Sequence, residues 1–265
     1  MNGLLAKAAR DQRRSLIGWS IAVAGVVSMY TAFYPSIKQS AADLQSYIDA
    51  LPEAIRNIVG AESYATPVGY LEGEFFNTMG PVIMLIFAIG AGARSVAGEE
   101  EAGTLDLLLS TPVGRRQVLS TKALTIVGTT AVLGVVAAAT IVLVGPVFDL
   151  TVPVADVIVA CLMLALLGLA FGGVAFAVGA STGRRTAGNV VAGGLAIVAF
   201  IVNAVGPAVD WLRPFRPLSP FRWYQDPSAL TSGLQLRNVL VLTGIAVVSY
   251  AVAWVTFDRR DLASA

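Results

Sequence analysis

The chain of 265 residues has no histidine and one cysteine, Cys161. A single cysteine excludes an intramolecular disulfide. Without histidine or a cysteine cluster, zinc, haem and Ser-His-Asp chemistry lack their ligands and their base. Charge is also scarce, at 13% of residues, where soluble domains carry about 25%. The net charge of +1 gives no general attraction to nucleic acid, and no recognition motif for it is present. There is no G-x-x-x-x-G-K-[ST] phosphate loop. The connections between apolar runs are also too short to hold a nucleotide-binding domain, so the chain cannot use ATP in the common way. Cys161 lies inside an apolar run and reads as a small buried or lipid-facing residue.

What is present is apolar surface. Hydrophobic residues make up 56% of the chain and the mean hydropathy is +0.73. A soluble domain would have to leave much of this in large exposed patches. Six windows are long and apolar enough to cross a bilayer: 15–35, 78–97, 121–147, 156–181, 187–208 and 238–257. The predicted fold is therefore all-α and integral to the membrane, a six-transmembrane-helix bundle forming one domain. The first window follows Arg10, Arg13 and Arg14 but is too long for a cleaved signal core, so it reads as the first span. Trp19, Tyr30, Phe33, Tyr34, Trp254 and Phe257 sit near span ends, as interfacial aromatics do. With both termini cytoplasmic, twelve Lys and Arg residues lie inside. Six lie outside: Lys38, Arg56, Arg213, Arg216, Arg222 and Arg237. The positive-inside rule favours that orientation. No span centre carries an ionisable group, which disfavours a proton- or ion-coupled carrier.

The connecting segments are more individual. Residues 2–14 place Leu4, Leu5 and Ala8 beside Lys7, Arg10, Arg13 and Arg14. This pattern fits an N-terminal interfacial helix on anionic lipid, or an ordinary basic tail. Outside the first span, Ile37, Ala41, Leu44, Ile48 and Leu51 recur at helical spacing, and Pro52 starts a second helix that Gly60 stops. A helical extracellular loop over the outer mouth of the bundle is expected between the first and second spans. Segment 209–237 mixes prolines, aromatics and arginines and cannot be one regular helix. Its Arg213, Arg216, Arg222, Trp223 and Tyr224 suit the headgroup layer, with the arginines on lipid phosphates, or else a contact with substrate. Gly168, Gly172, Ala175 and Gly179 give the fourth span a small-residue stripe, for packing within the chain or between two chains.

One stretch interrupts the apolar pattern, "RSVAGEEEAGTLDLLLSTPVGRRQVLSTK" from residue 94 to 122. The second helix is expected to continue through Glu99, Glu100 and Glu101 and to break at Gly103. Thr104 caps a new turn, "TLDLLL", on which Leu105, Leu108 and Leu109 share one face. Pro112 then opens a turn that leads to Arg115 and Arg116. The stretch resembles the signature of ABC-transporter permease subunits of the second type, the drug and antibiotic exporter family. The resemblance extends to "ALPEAIRNIVG", "SPFRWYQDP" and "FDRRDL" and so covers most of the chain.

The resemblance implies a permease of an ATP-driven exporter in the plasma membrane. In that family this region docks into a groove of an ABC ATP-binding subunit. Residue by residue, Glu99, Glu100, Glu101, Gly103, Thr104, Leu105, Leu108, Leu109, Pro112, Arg115 and Arg116 would form the coupling surface. Leucines would fill a partner pocket and charges at the rim would steer docking. The implied partners are two copies of the ATP-binding subunit, a second permease that is identical or related, and membrane lipid. No cofactor is expected on this chain; ATP and Mg belong to the ATP-binding subunit. Charge-free spans suit a hydrophobic or amphipathic cargo, as in multidrug or antibiotic efflux, although family members also serve lipid, polysaccharide and cofactor-assembly export. The alternative is a membrane scaffold that anchors an ATPase or assembly factor without transporting anything itself.

Overall fold

The computed structural model describes residues 2–49, 66–103 and 114–259. Helix α1 is Asn2–Asp49. Helix α2 (Pro67–Tyr70) runs through a π-helical stretch, Leu71–Met79, into α3 (Gly80–Ser95), and α4 is Ala97–Glu101. Helix α5 (Arg115–Val144) closes in a 3-10 turn, and α6 (Val154–Thr182) and α7 (Arg185–Val205) follow. The short α8 (Pro220–Gln225) and α9 (Ala229–Ser232) precede α10, Leu236–Arg259. There is no strand among the described residues.

Six helices are long and apolar enough to cross a membrane: Arg13–Ser40, Pro67–Ser95, Arg115–Phe148, Val154–Thr182, Arg185–Val205 and Leu236–Arg259. All six expected windows fall on them, but several ends move. The second span begins at Pro67, not at 78. Glu72 and Glu74 lower the hydropathy of its first turns, so an apolar window misses them. A local signal marks the true start: Thr66 caps the helix by accepting the Gly69 N–H at 3.1 Å, and Pro67 takes the first position. The third span likewise begins six residues before its window. At the N-terminus, helix α1 is unbroken from Asn2 to Asp49, passing Pro35. The basic segment 2–14 therefore continues the first span instead of forming a separate interfacial helix. The same helix carries the predicted helical residues 36–49 beyond the first window, whereas the second helix expected from Pro52 to Gly60 lies outside the described residues.

The fourth span is the hub. It packs against the second, third, fifth and sixth spans, while the first leans on the third. The most hydrophobic windows of the second and fourth spans are both 61% buried, against 17% for the first and sixth. Glycine explains the contact between these two. A Cβ on Gly92 would lie 2.2 Å from the Gly172 carbonyl oxygen, and one on Gly172 would lie 2.9 Å from that of Ala88. The small-residue stripe therefore packs the subunit internally, and backbones approach to a distance no larger residue permits. Gly188 extends the contact to the fifth span, 2.8 Å from the Ala175 carbonyl oxygen by the same measure.

Most of the buried threonines of the bundle satisfy their hydroxyls locally, as a medium without water demands, the Thr130 hydroxyl being the exception. Thr31, Thr125, Thr129 and Thr140 return their hydroxyl hydrogens to carbonyls four residues back. Cys161 is buried, as expected. Two of the aromatics expected at the interface are core residues instead. Phe257 is fully buried, and Tyr34 is buried against Tyr70 with ring centroids 5.3 Å apart. Much of the outward surface, such as Ile21, Val135, Val190 and Val247, is apolar and suits lipid contact.

Substituting Gly92 by Ala is expected to force the second and fourth spans apart at a cost of about 1–3 kcal/mol. Gly193→Ala, where a new Cβ meets nothing within 4 Å, is expected to leave stability unchanged or slightly raised. Thermal unfolding of the purified variants in detergent checks both.

Candidate functional site

Both ends of the bundle are built from charged and polar groups that tie separate spans together. At one end the second span breaks at Val96 and resumes as α4, which carries the three acids. Glu99 is ion-paired with Lys122 of the third span. Glu101 accepts the backbone N–H of Arg185 at 2.8 Å, which satisfies the first turn of the fifth span. Gly103 ends the helix with φ +65, a left-handed conformation that glycine adopts without strain. The acids are helical and the break at Gly103 is present, but the acids sit on a separate short helix after an interruption at Val96 and not on an unbroken continuation of the second span.

The residues expected in the coupling surface divide accordingly. Glu99, Glu101 and Arg116 contact other spans of the same chain. Arg116 pairs with Asp258 at 3.1 Å and lies over the Trp254 ring at 4.9 Å, joining the third span to the end of the sixth. Glu100 and Arg115 lie beside them on α4 and at the start of α5. Thr104, Leu105, Leu108, Leu109 and Pro112 lie outside the described residues. Ser15 and Leu16 of the first span line the same cavity as Glu99, so the near ends of the first and sixth spans share this end of the bundle.

At the opposite end, segment 206–235 folds back into the bundle. Phe221, Tyr224, Ala229 and Leu230 are buried, and the Tyr224 hydroxyl donates to the Phe76 carbonyl at 2.7 Å within the π-helical stretch. The arginines expected on lipid phosphates find carboxylates instead. Arg216 and Arg222 both pair with Asp226, and Arg213 pairs with Asp210. Arg216 also donates to the Asn203 side-chain oxygen at 3.1 Å, while Asn203 donates to Gln225 at 2.6 Å. A partner four residues away, Asp226 for Arg222, was available in the sequence. Burial holds the Tyr224 phenol well above its usual value of 10.0, with smaller contributions from Cys161 and Glu72.

Between these ends lies a feature that hydropathy could not show. The second and fifth spans flank an apolar groove of about 730 Å³. Pro81, Val82, Leu85, Ile86 and Ile89 line one side and Ala196, Ile197 and Phe200 the other, with Phe221 at one end. Among the described residues, Thr78 and Asn189 are its only polar lining side chains, and Gly90 and Gly193 leave the space open. The signal in the sequence was faint: Asn189, Gly193 and Ile197, at four-residue spacing, put a polar, a small and an apolar residue on one face of the fifth span.

Six apolar helices, a dry internal core and charged ends define a multi-pass membrane protein. The chain belongs to the ABC-2 family of transporter proteins, whose family model matches residues 3–262. It is therefore a permease of the ABC-transporter class, a membrane transport component of a kind that generally works with an ATP-binding subunit. No individual curated protein matches it.

The folded chain keeps the Tyr224 proton above the pH at which an unfolded tyrosine releases it. The stabilisation from this group is therefore complete below pH 10 and declines as pH rises above it. Tyr224→Phe is expected to cost about 1 kcal/mol at neutral pH, through the lost hydrogen bond to Phe76. It is also expected to remove that part of the alkaline loss. Unfolding midpoints of the two proteins across neutral and alkaline pH measure both effects.

Proposed function

We propose that this chain is the transmembrane subunit of an ATP-driven exporter of hydrophobic or amphipathic compounds. Both termini are cytoplasmic, and the acid-bearing end of the bundle faces the ATP-binding partner. Two permease copies, identical or related, line the path, and two ATP-binding subunits hold ATP and Mg. Segment 98–116 is the coupling surface. Leu105, Leu108 and Leu109 fill the partner's groove, with Glu100 and Arg115 at its rim. Glu99, Glu101 and Arg116 act as struts that carry the partner's movement to the third, fifth and sixth spans.

The observation that carries this reading is the junction at Glu99–Gly103. One short helix is bonded to the third and fifth spans and ends on a glycine where the expected docking segment begins. ATP binding brings the two ATP-binding subunits together. The struts bias the bundle between two arrangements, so that the groove between the second and fifth spans opens to one side and then to the other. An apolar groove offers no site for a hydrated ion and every advantage to a greasy one.

Co-purification with the ATP-binding subunit, ATPase assay and vesicle transport test the reading together. Leu108→Asp is expected to weaken assembly by roughly 30-fold or more, the scale of a lost interface anchor. It should abolish transport and stimulation of the ATPase. Ile197→Trp, which fills the groove, should block transport while assembly persists. Unchanged assembly with Leu108→Asp would contradict the coupling surface. A wild-type complex that hydrolyses ATP and moves no compound would favour the scaffold.

A further inference from the structure

At the acid-bearing end, the first, second, third and fifth spans border a second cavity, of about 350 Å³. Leu16, Phe87 and Ala91 give it an apolar wall, and Arg94, Glu99, Lys122 and Arg185 give it a charged one. Glu99 and Lys122 are ion-paired with each other. The nearby Glu101 is held by the backbone N–H of Arg185. Arg94 spends its Nε hydrogen on the Gly90 carbonyl at 3.0 Å. Among the described residues, neither Arg94 nor Arg185 has a carboxylate within ion-pair distance. The two cations instead act on each other as like charges.

Their depth matters as much as their charge. Arg94 is one residue from the end of the second span, and Arg185 is the first residue of the fifth. Both are therefore at the level where lipid headgroups begin. A guanidinium pair at the edge of a water-poor medium is unfavourable alone and favourable around an anion. Phosphate suits it better than carboxylate, because its oxygens accept from two planar forks at once. The apolar wall beside the pair is suited to a ligand with a tail.

We propose that this cavity binds a phosphate group carried on an apolar tail, a phospholipid headgroup, with Arg94 and Arg185 on the phosphate and Leu16, Phe87 and Ala91 on the first methylenes. The site is read from this chain alone. It stands whether or not the exporter reading holds, and its test uses neither ATP nor a partner.

The test is thermal unfolding of the detergent-purified chain with short-chain phosphatidic acid, diacylglycerol with the same tails, or inorganic phosphate. Phosphatidic acid well above its Kd is expected to raise Tm by roughly 5 °C, and diacylglycerol is expected to leave it unchanged. Arg94→Gln with Arg185→Gln should lose the shift. Arg213→Gln, at the opposite end of the bundle, should keep it. If the double variant does not fold, Arg185→Gln alone, at an exposed position, is expected to lose at least half of it. An equal shift with diacylglycerol, or a full shift in the arginine variants, overturns the proposal. A shift with inorganic phosphate as large as that with phosphatidic acid replaces the lipid by a free phosphate ester and overturns the lipid assignment.

Discussion

The backbone contact between the second and fourth spans is the constraint on which the rest of the structure depends. In a bilayer there is no hydrophobic drive to press two helices together, because lipid tails are as apolar as the side chains that would meet. Close packing must supply the attraction instead. Gly92 and Gly172 supply it by letting main chain meet main chain, and Gly188 brings the fifth span into the same contact. Once the second span is fixed, its two ends are fixed as well. One end carries α4 and its acids, and the other carries the π-helical stretch on which Tyr224 closes.

The charged groups follow a second rule, that few are left without a partner at the margin of a dry core. Glu99 meets Lys122, Arg116 meets Asp258, and Asp226 serves both Arg216 and Arg222. Such pairs contribute modestly where they are wet and more where they are shielded. Their mechanical effect is clearer than their energy. The pairs of Glu99 and Arg116 join neighbouring spans at one end of the bundle, where a push from outside the membrane would enter, while those of Asp226 hold segment 206–235 together at the other. The second and fifth spans between them keep an apolar groove that no side chain of the described residues fills.

How much of this was legible in the sequence depends on the signal each feature leaves. Spans announce themselves through length and hydropathy, and the break at Gly103 through a glycine after a run of acids. The first turns of the second span were hidden because Glu72 and Glu74 interrupt the apolar window, although Thr66 and Pro67 mark a helix start. Tyr34 and Phe257 looked interfacial because position along a helix is visible in a sequence while the direction a side chain faces is not. For the same reason the groove was invisible: Val82 and Ile197 score alike whether they face lipid or a cavity. The depth of Arg213, Arg216 and Arg222 suits lipid phosphate or substrate equally, and the carboxylates of Asp210 and Asp226, which take them up instead, are near neighbours in the sequence.

The central claim is that work done by an ATP-binding partner changes the separation of the second and fifth spans across the groove. Spin labels at Ile86→Cys and Ile197→Cys, two exposed groove positions, report that separation in the assembled transporter, with the buried Cys161 left in place. The account predicts one distance distribution without nucleotide and a displaced one with ATP bound. A distribution that is the same in both states would contradict it.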